Sequence, residues 1–235
     1  MEISEFPVVR GLKGILKRNL GPGEIGVVAA RAGVGKTALL TLIALSEISD
    51  GGRVLHVCID EPPEKVKIWY EELLRSSNPS LSFTTVKTLT RAVEQYRFVL
   101  SYLHNSFSLG KLEEALKGIV EQTSFRPTVA VIDGLDFDRC EKRFVPRLRE
   151  LLQKYEIPAW LSVQLQKYPG ENGEAGLSYP CDLLEGDCAI MIIMESNPEG
   201  GFSLKLVKEG IRLTSPRVFS DSDVLSFLSA PGSGR

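Results

Sequence analysis

Hydrophobic and polar positions along the chain fall into two alternating kinds of run. Short, almost wholly apolar runs bounded by turn residues read as buried strands at 24–30 ("EIGVVAA"), 53–59 ("RVLHVCI"), 128–133 ("TVAVID") and 158–164 ("PAWLSVQ"). Between them lie longer runs whose apolar residues recur at helical spacing, over 36–49, 62–76, 109–122 and 143–155. In the last of these Val145, Leu148, Leu151, Leu152 and Tyr155 share one face. Pro62 and Pro63 stand at a helix start, where a missing N–H does no harm. The region 80–107 reads less simply: "LSFTTV" suits a strand, and "RAVEQYRFVLSYL" has helical spacing early and β-forming residues late. "CAIMIIME" and "FSLKLVK" read as two strands meeting at the turn "SNPEGG". The end, 223–235, reads as a loose tail, which leaves 1–222 as a single domain. Strands alternating with helices predict an α/β fold. Its central sheet is mainly parallel with helices on both faces, and it has an antiparallel edge near the C-terminus.

Composition narrows the classes without choosing among them. A chain of 235 residues, 43% apolar and 25% charged, is ordinary for a globular domain with a sizeable core. A net charge of −2 argues against a generic basic coat for nucleic acid, while leaving room for a local basic face. The longest strictly apolar run, Cys188 to Met194, is too short to span a bilayer, and the start "MEISEFPVVRG" lacks a leader pattern, so no membrane partner is expected. Cys58, Cys140, Cys181 and Cys188 form no C-x-x-C pair; reduced thiols in a cytoplasmic protein are the expectation.

The chemistry begins at "VVAARAGVGKTALL", residues 27–40. Ala30 to Thr37 fits the phosphate-loop pattern A/G-x-x-x-x-G-K-S/T, with alanine where the stricter form has glycine. Glycines let the backbone wrap an anion, and the N–H groups of the loop and helix start then point at phosphates. Ala30, Arg31, Ala32, Gly33, Val34, Gly35, Lys36, Thr37 and Ala38 are therefore the candidate nucleotide-binding residues. Lys36 would reach the β- and γ-phosphates and Thr37 would offer its hydroxyl to Mg²⁺.

Three strand ends complete the constellation. Asp133 closes "TVAVID" and is the second candidate ligand for Mg²⁺, because parallel strands open their C-terminal ends on the same edge as the phosphate loop. "CIDEPPEKV" ends the second strand with Asp60 and Glu61; Glu61 is the candidate general base, supported by Asp60. The acids equally suit the start of the helix that follows. Gln164 ends "AWLSVQ" and could bond the γ-phosphate or the attacking water.

Together these pieces resemble the RecA-type ATPases, and most closely the branch of KaiC-like proteins and DnaB-like replicative helicases. "LGPGEIGVVAARAGVGKTALL" looks like that branch's lead-in and phosphate loop. "VLHVCIDEPPEKV" resembles the KaiC-like strand ending in paired acids, "VAVIDGLDF" the Walker B strand, and "LSVQLQK" the strand with a sensor glutamine. "LLEGDCAIMIIME" resembles a short helix leading into an edge strand. "LVKEGIRLTSPRVF" is similar to the late segment whose Lys and Arg reach a neighbour's ATP. The resemblance runs over residues 10–220 and implies a RecA-like P-loop fold, ATP and Mg²⁺ as cofactors, and a homo-oligomer, of six subunits by the family's pattern. It also implies roles in trans for Lys208 and Arg212. The family's pair is closely spaced as K-x-R; here the two lie four apart, an even spacing that on one strand would give them one face, whereas a break at Gly210 would leave them two solvated strand-end cations.

Two loops decide whether single-stranded nucleic acid is a partner. The loop after Asp133 carries Arg139, Lys142, Arg143, Arg147 and Arg149 with Phe137 and Phe144 interleaved, a pattern suited to phosphate contact and base stacking. Asp136, Asp138 and Glu141 dilute it, and in the loop after Gln164, Glu171 and Glu174 offset Lys167 and Tyr168. Three readings follow: a KaiC-like ATPase switch acting through assembly or a protein partner, an ATP-driven motor on single-stranded DNA, and a P-loop small-molecule kinase. The strand-end acids and Gln164 suit water activation better than transfer to a metabolite.

Overall fold

The computed structural model describes residues 3–16, 18–141, 143–168, 177–196, 202–210 and 212–219, the last stretch and residue 104 by backbone alone. In chain order the elements are α1 (Pro7–Ile15), β1 (Ile25–Ala30), α2 (Lys36–Ser49), β2 (Val54–Ile59), α3 (Pro63–Ser77), α4 (Phe83–Glu94), β3 (Arg97–Tyr102) and α5 (Leu109–Gln122). There follow β4 (Val129–Asp133), α6 (Phe144–Lys154), β5 (Ala159–Gln164), α7 (Cys181–Leu184), β6 (Cys188–Ser196), β7 (Phe202–Glu209) and β8 (Arg212–Phe219). One sheet holds every strand, in the order β3-β2-β4-β5-β1-β6-β7-β8. The pairings from β3 through β6 are parallel; β6–β7 and β7–β8 are antiparallel.

Strand alternation divides the core into two layers. Val28, Ala30, Cys58, Val131 and Trp160 face α1, α2, α3 and α4, while Val27, Ala29, Val57, Ile132 and Leu161 face α5, α6 and α7. Being covered on both faces, the central strands bury nearly every residue, which is why their sequences are continuous apolar runs. α2 is buried nearly all round, from Ala38 to Ile48, between the sheet and α1 and α3.

Two regions depart from the sequence pattern. "LSFTTV" begins α4 and not a strand: the Ser82 hydroxyl accepts from the Thr85 N–H at 3.1 Å, a cap of about 1 kcal/mol. Val86, Thr90 and Val93 then repeat at helical spacing and bury against the core, so packing overrides the local β preference. At the front, Pro7 opens α1, which inserts Val8, Val9, Leu12 and Ile15. That helix falls within the segment the sequence reading left without an element.

The C-terminal hairpin corrects a further expectation. Lys208 and Arg212 do not lie on one strand, because the chain turns at Gly210 between β7 and β8. The register pairs Arg212 with Glu209 and Leu213 with Lys208, which assigns the two basic positions to opposite faces of the sheet. The tail at 223–235 lies outside the described residues. Among the described residues no helix is long and apolar enough to cross a membrane.

Candidate functional site

The parallel order places the C-terminal ends of β1, β2, β4 and β5 along one edge. The turn from β1 into α2 is shaped by Gly33 (φ +75°) and Gly35 (φ +101°), conformations closed to most side chains. Lys36 opens α2, and its ammonium donates to the carbonyls of Ala30 (3.3 Å) and Arg31 (3.0 Å), folding the side chain back along the loop. Burial pulls its pKa down and the Asp133 charge pushes it back up.

Thr37, one residue on, meets Asp133 although they are 96 apart in sequence: the hydroxyl donates to Asp133 Oδ2 at 2.6 Å. Asp133 is held there because Cys58 is its register partner in β2 and the chain leaves β4 abruptly at Gly134. Gly134 has φ +89°, and a Cβ there would sit 2.6 Å from the carbonyl oxygen of Ile59, so only glycine fits. Its N–H is taken up by the Ser162 hydroxyl at 3.0 Å. One hydroxyl and one carboxylate side by side are hard oxygen donors of the kind Mg²⁺ takes when water and substrate phosphate complete its shell. Among the described residues no group of three or more His, Cys, Asp or Glu forms a cage of its own.

A cavity of about 550 Å³ opens on this edge, lined among others by Gly33, Lys36, Thr37, Glu61, Asp133 and Gln164. Its far wall holds Asp136, Asp138, Gln166 and Tyr179. The Tyr179 hydroxyl is pushed up to about 12, first by its hydrogen bond to Asp138, then by burial and by the negative charge around it. A second cavity of about 240 Å³ lies behind the phosphate loop, between α2, α3 and the sheet. Gly33, Lys36, Thr37, Cys58, Glu61 and Asp133 border both, so the two cavities adjoin at these residues.

The structure separates the paired acids. Asp60 is exposed, has φ +62°, and is not among the residues lining either cavity. That left-handed residue reverses the chain as β2 ends, and Glu61 is the acid that turns into the site. Gln164 ends β5 on the cavity wall, opposite Ala30 in the register.

Two groups here were missed by sequence reasoning. Lys65 donates to Glu61 Oε1 at 2.6 Å and lines the rear cavity; its i,i+4 spacing from an acid at a helix start was a readable signal. His56 lies deep in that cavity, 1% exposed, with Nδ1 3.4 Å from the Tyr70 hydroxyl. Burial holds its pKa down to about 4 and the Arg97 charge adds to this, against the pull of Asp133. Its position in the middle of an apolar strand gave only the signal of a core histidine. Tyr168, read from the sequence as an aromatic of a candidate nucleic-acid loop, instead has its ring beneath the Arg31 guanidinium at 4.7 Å and so ties the turn between β1 and α2 to the chain after β5.

Other predicted positions are spent elsewhere. Lys208 is 4% exposed and donates to the carbonyl of Glu185, at the end of α7. The Arg212 side chain, Lys142 and the stretch with Glu171 and Glu174 lie outside the described residues. Phe137 and Phe144 are buried, their rings packed edge to face at 6.5 Å. Arg147 pairs with Glu141 (2.9 Å), Arg149 with Asp187 (2.9 Å) and Arg139 with Asp136 (3.5 Å). The segment after β4 thus turns its aromatics inward and pairs Arg139, Arg147 and Arg149, while Arg143 is exposed. No protein-family model matches the chain, and no curated protein matches it.

Proposed function

We propose that this chain is an ATP-binding and ATP-hydrolysing protein of the RecA/KaiC-like type, working as a nucleotide-driven oligomeric switch. The observation that supports it best is the Thr37–Asp133 contact at 2.6 Å beside a phosphate loop with two left-handed glycines. Phosphates would lie in the loop against its N–H groups, with Lys36 swung from the Ala30 and Arg31 carbonyls to the β- and γ-oxygens. Thr37 and Asp133 would hold Mg²⁺, whose charge offsets that developing on the phosphate oxygens. Glu61 would take a proton from water as its oxygen bonds to the γ-phosphorus. The bond from that phosphorus to the bridging oxygen breaks, and its electron pair leaves with ADP. Gln164 would fix the water or the γ-phosphate.

In an isolated chain the edge is open, and a head-to-tail neighbour would close it. Arg212 remains the candidate for a cation supplied in trans. Lys208 is engaged by its own chain and belongs to the support of α7. The inward aromatics after β4, which leave Phe137 and Phe144 no face for base stacking, favour the switch over the DNA motor.

The test is ATP binding and turnover with Mg²⁺ in the wild-type chain and in Lys36→Ala. Loss of one charged contact to the phosphates should weaken ATP binding about 10- to 100-fold. Normal affinity in Lys36→Ala, or no ATP binding at all in the wild type, would sink this reading.

A further inference from the structure

We propose that Lys65 is a cation of the hydrolysis site supplied in cis, holding the Glu61 carboxylate and contacting the γ-phosphate of ATP. This rests on the ATPase reading above. Three observations lead to it. First, the Lys65 ammonium donates to Glu61 Oε1 at 2.6 Å, so the cation sits on the acid assigned to activate water. One oxygen of Glu61 is thereby fixed and the other is left for that water.

Second, Lys65 lines the same cavity as Gly33, Gly35, Lys36 and Thr37, behind the phosphate loop. A γ-phosphate placed against Lys36 would meet that cavity from its other side. An ammonium has donors to spare beyond the one given to Glu61. The Lys65 side chain is 42% exposed, so a flexible stem lets the head shift toward the phosphate without repacking the core.

Third, the sequence motif offered Lys208 for such charge, and Lys208 is buried beneath α7 with its ammonium on Glu185. Lys65 stands at the site within the same chain. Between Glu61 and the γ-phosphate its charge offsets two negative groups that must approach one another during attack. Placed there, it opposes the repulsion that otherwise pushes the carboxylate away from the phosphate.

The decisive measurement compares ATP with ADP in the full-length chain, using Lys65→Met, Lys65→Gln and Lys65→Arg. The two neutral variants should lose about 10- to 100-fold in affinity for ATP while ADP affinity stays within about twofold, since only ATP has a γ-phosphate. Turnover at saturating ATP should fall by about 10²-fold, and Lys65→Arg should recover part of both. A merely structural lysine would shift ATP and ADP affinities together. Mixing Lys65→Met with Glu61→Gln subunits should restore no activity, because both residues serve the same site. Rescue in the mixture, or equal losses for ATP and ADP, overturns the proposal, as does normal turnover in both neutral variants. If the wild-type chain binds and hydrolyses ATP and Lys65→Met does so equally well, only this proposal fails. If the wild type binds no ATP, the ATPase reading fails and takes this one with it.

Discussion

The edge proposed to take phosphate (the phosphate edge) and the C-terminal hairpin both place lysine at a strand-proximal position, and they treat it in opposite ways. At the phosphate edge Lys36 and Lys65 border cavities beside acids that also face them. In the hairpin Lys208 has its stem in the core and its ammonium on a helix-end carbonyl. The difference lies in what the fold brings opposite the charge. Parallel strand ends leave a gap that no side chain fills, because each chain departs into a separate helix. An antiparallel pair packs its neighbours to the end of the ladder, and α7 descends on it. A buried ammonium must then find an acceptor in its own chain. A basic residue near the right place in sequence is thus no measure of a free cation.

The largest expected effect sits at the phosphate edge. Glu61→Gln keeps the shape and removes the proton acceptor, so ATP should still bind while turnover drops about 10²–10⁴-fold. Steady-state hydrolysis beside equilibrium binding would check it. If Asp60→Asn were the crippling change and Glu61→Gln were harmless, the contrast between inward and exposed acid would be lost.

Beneath the same edge, His56 should give stability a pH dependence. The folded chain holds it down to about 4, against an ordinary value near 6.5. Between those values the unfolded chain binds more protons, so stability is complete above about 6.5 and falls as pH drops toward 4. The loss is on the order of 3 kcal/mol. Urea unfolding at several pH values should show a slope that flattens in His56→Phe; an unchanged slope would mean other groups dominate.

The smallest effect belongs to the hairpin. Lys208→Met keeps the stem and deletes the ammonium, leaving the Glu185 carbonyl without that donor, at a cost of about 1–3 kcal/mol. ATP affinity and turnover should not move. A variant with normal thermal stability and depressed turnover would return Lys208 to a role between subunits and erase the contrast drawn above.

The sequence by itself determined the alternation of strand and helix, the glycine turn between β1 and α2, and the polar residues at the ends of β2, β4 and β5. These are local facts: burial on both faces demands continuous apolar runs, and a left-handed turn favours glycine. It misjudged "LSFTTV", whose residues favour strands singly but place Val86, Thr90 and Val93 on one buried helical face. It left Lys208 and Arg212 open between one shared face and a break at Gly210, since spacing along a strand is readable only if the strand does not turn, and the fold turns it there. Residue order already set Asp133 on the edge of Thr37 and preferred Glu61 to Asp60, as the Thr37–Asp133 contact and the cavity lining have it. Tertiary structure alone decided that Phe137 and Phe144 fill the core and that Lys208 bonds the Glu185 carbonyl. Each of these depends on a backbone direction or on a neighbour distant in sequence, and residue order does not encode such contacts locally.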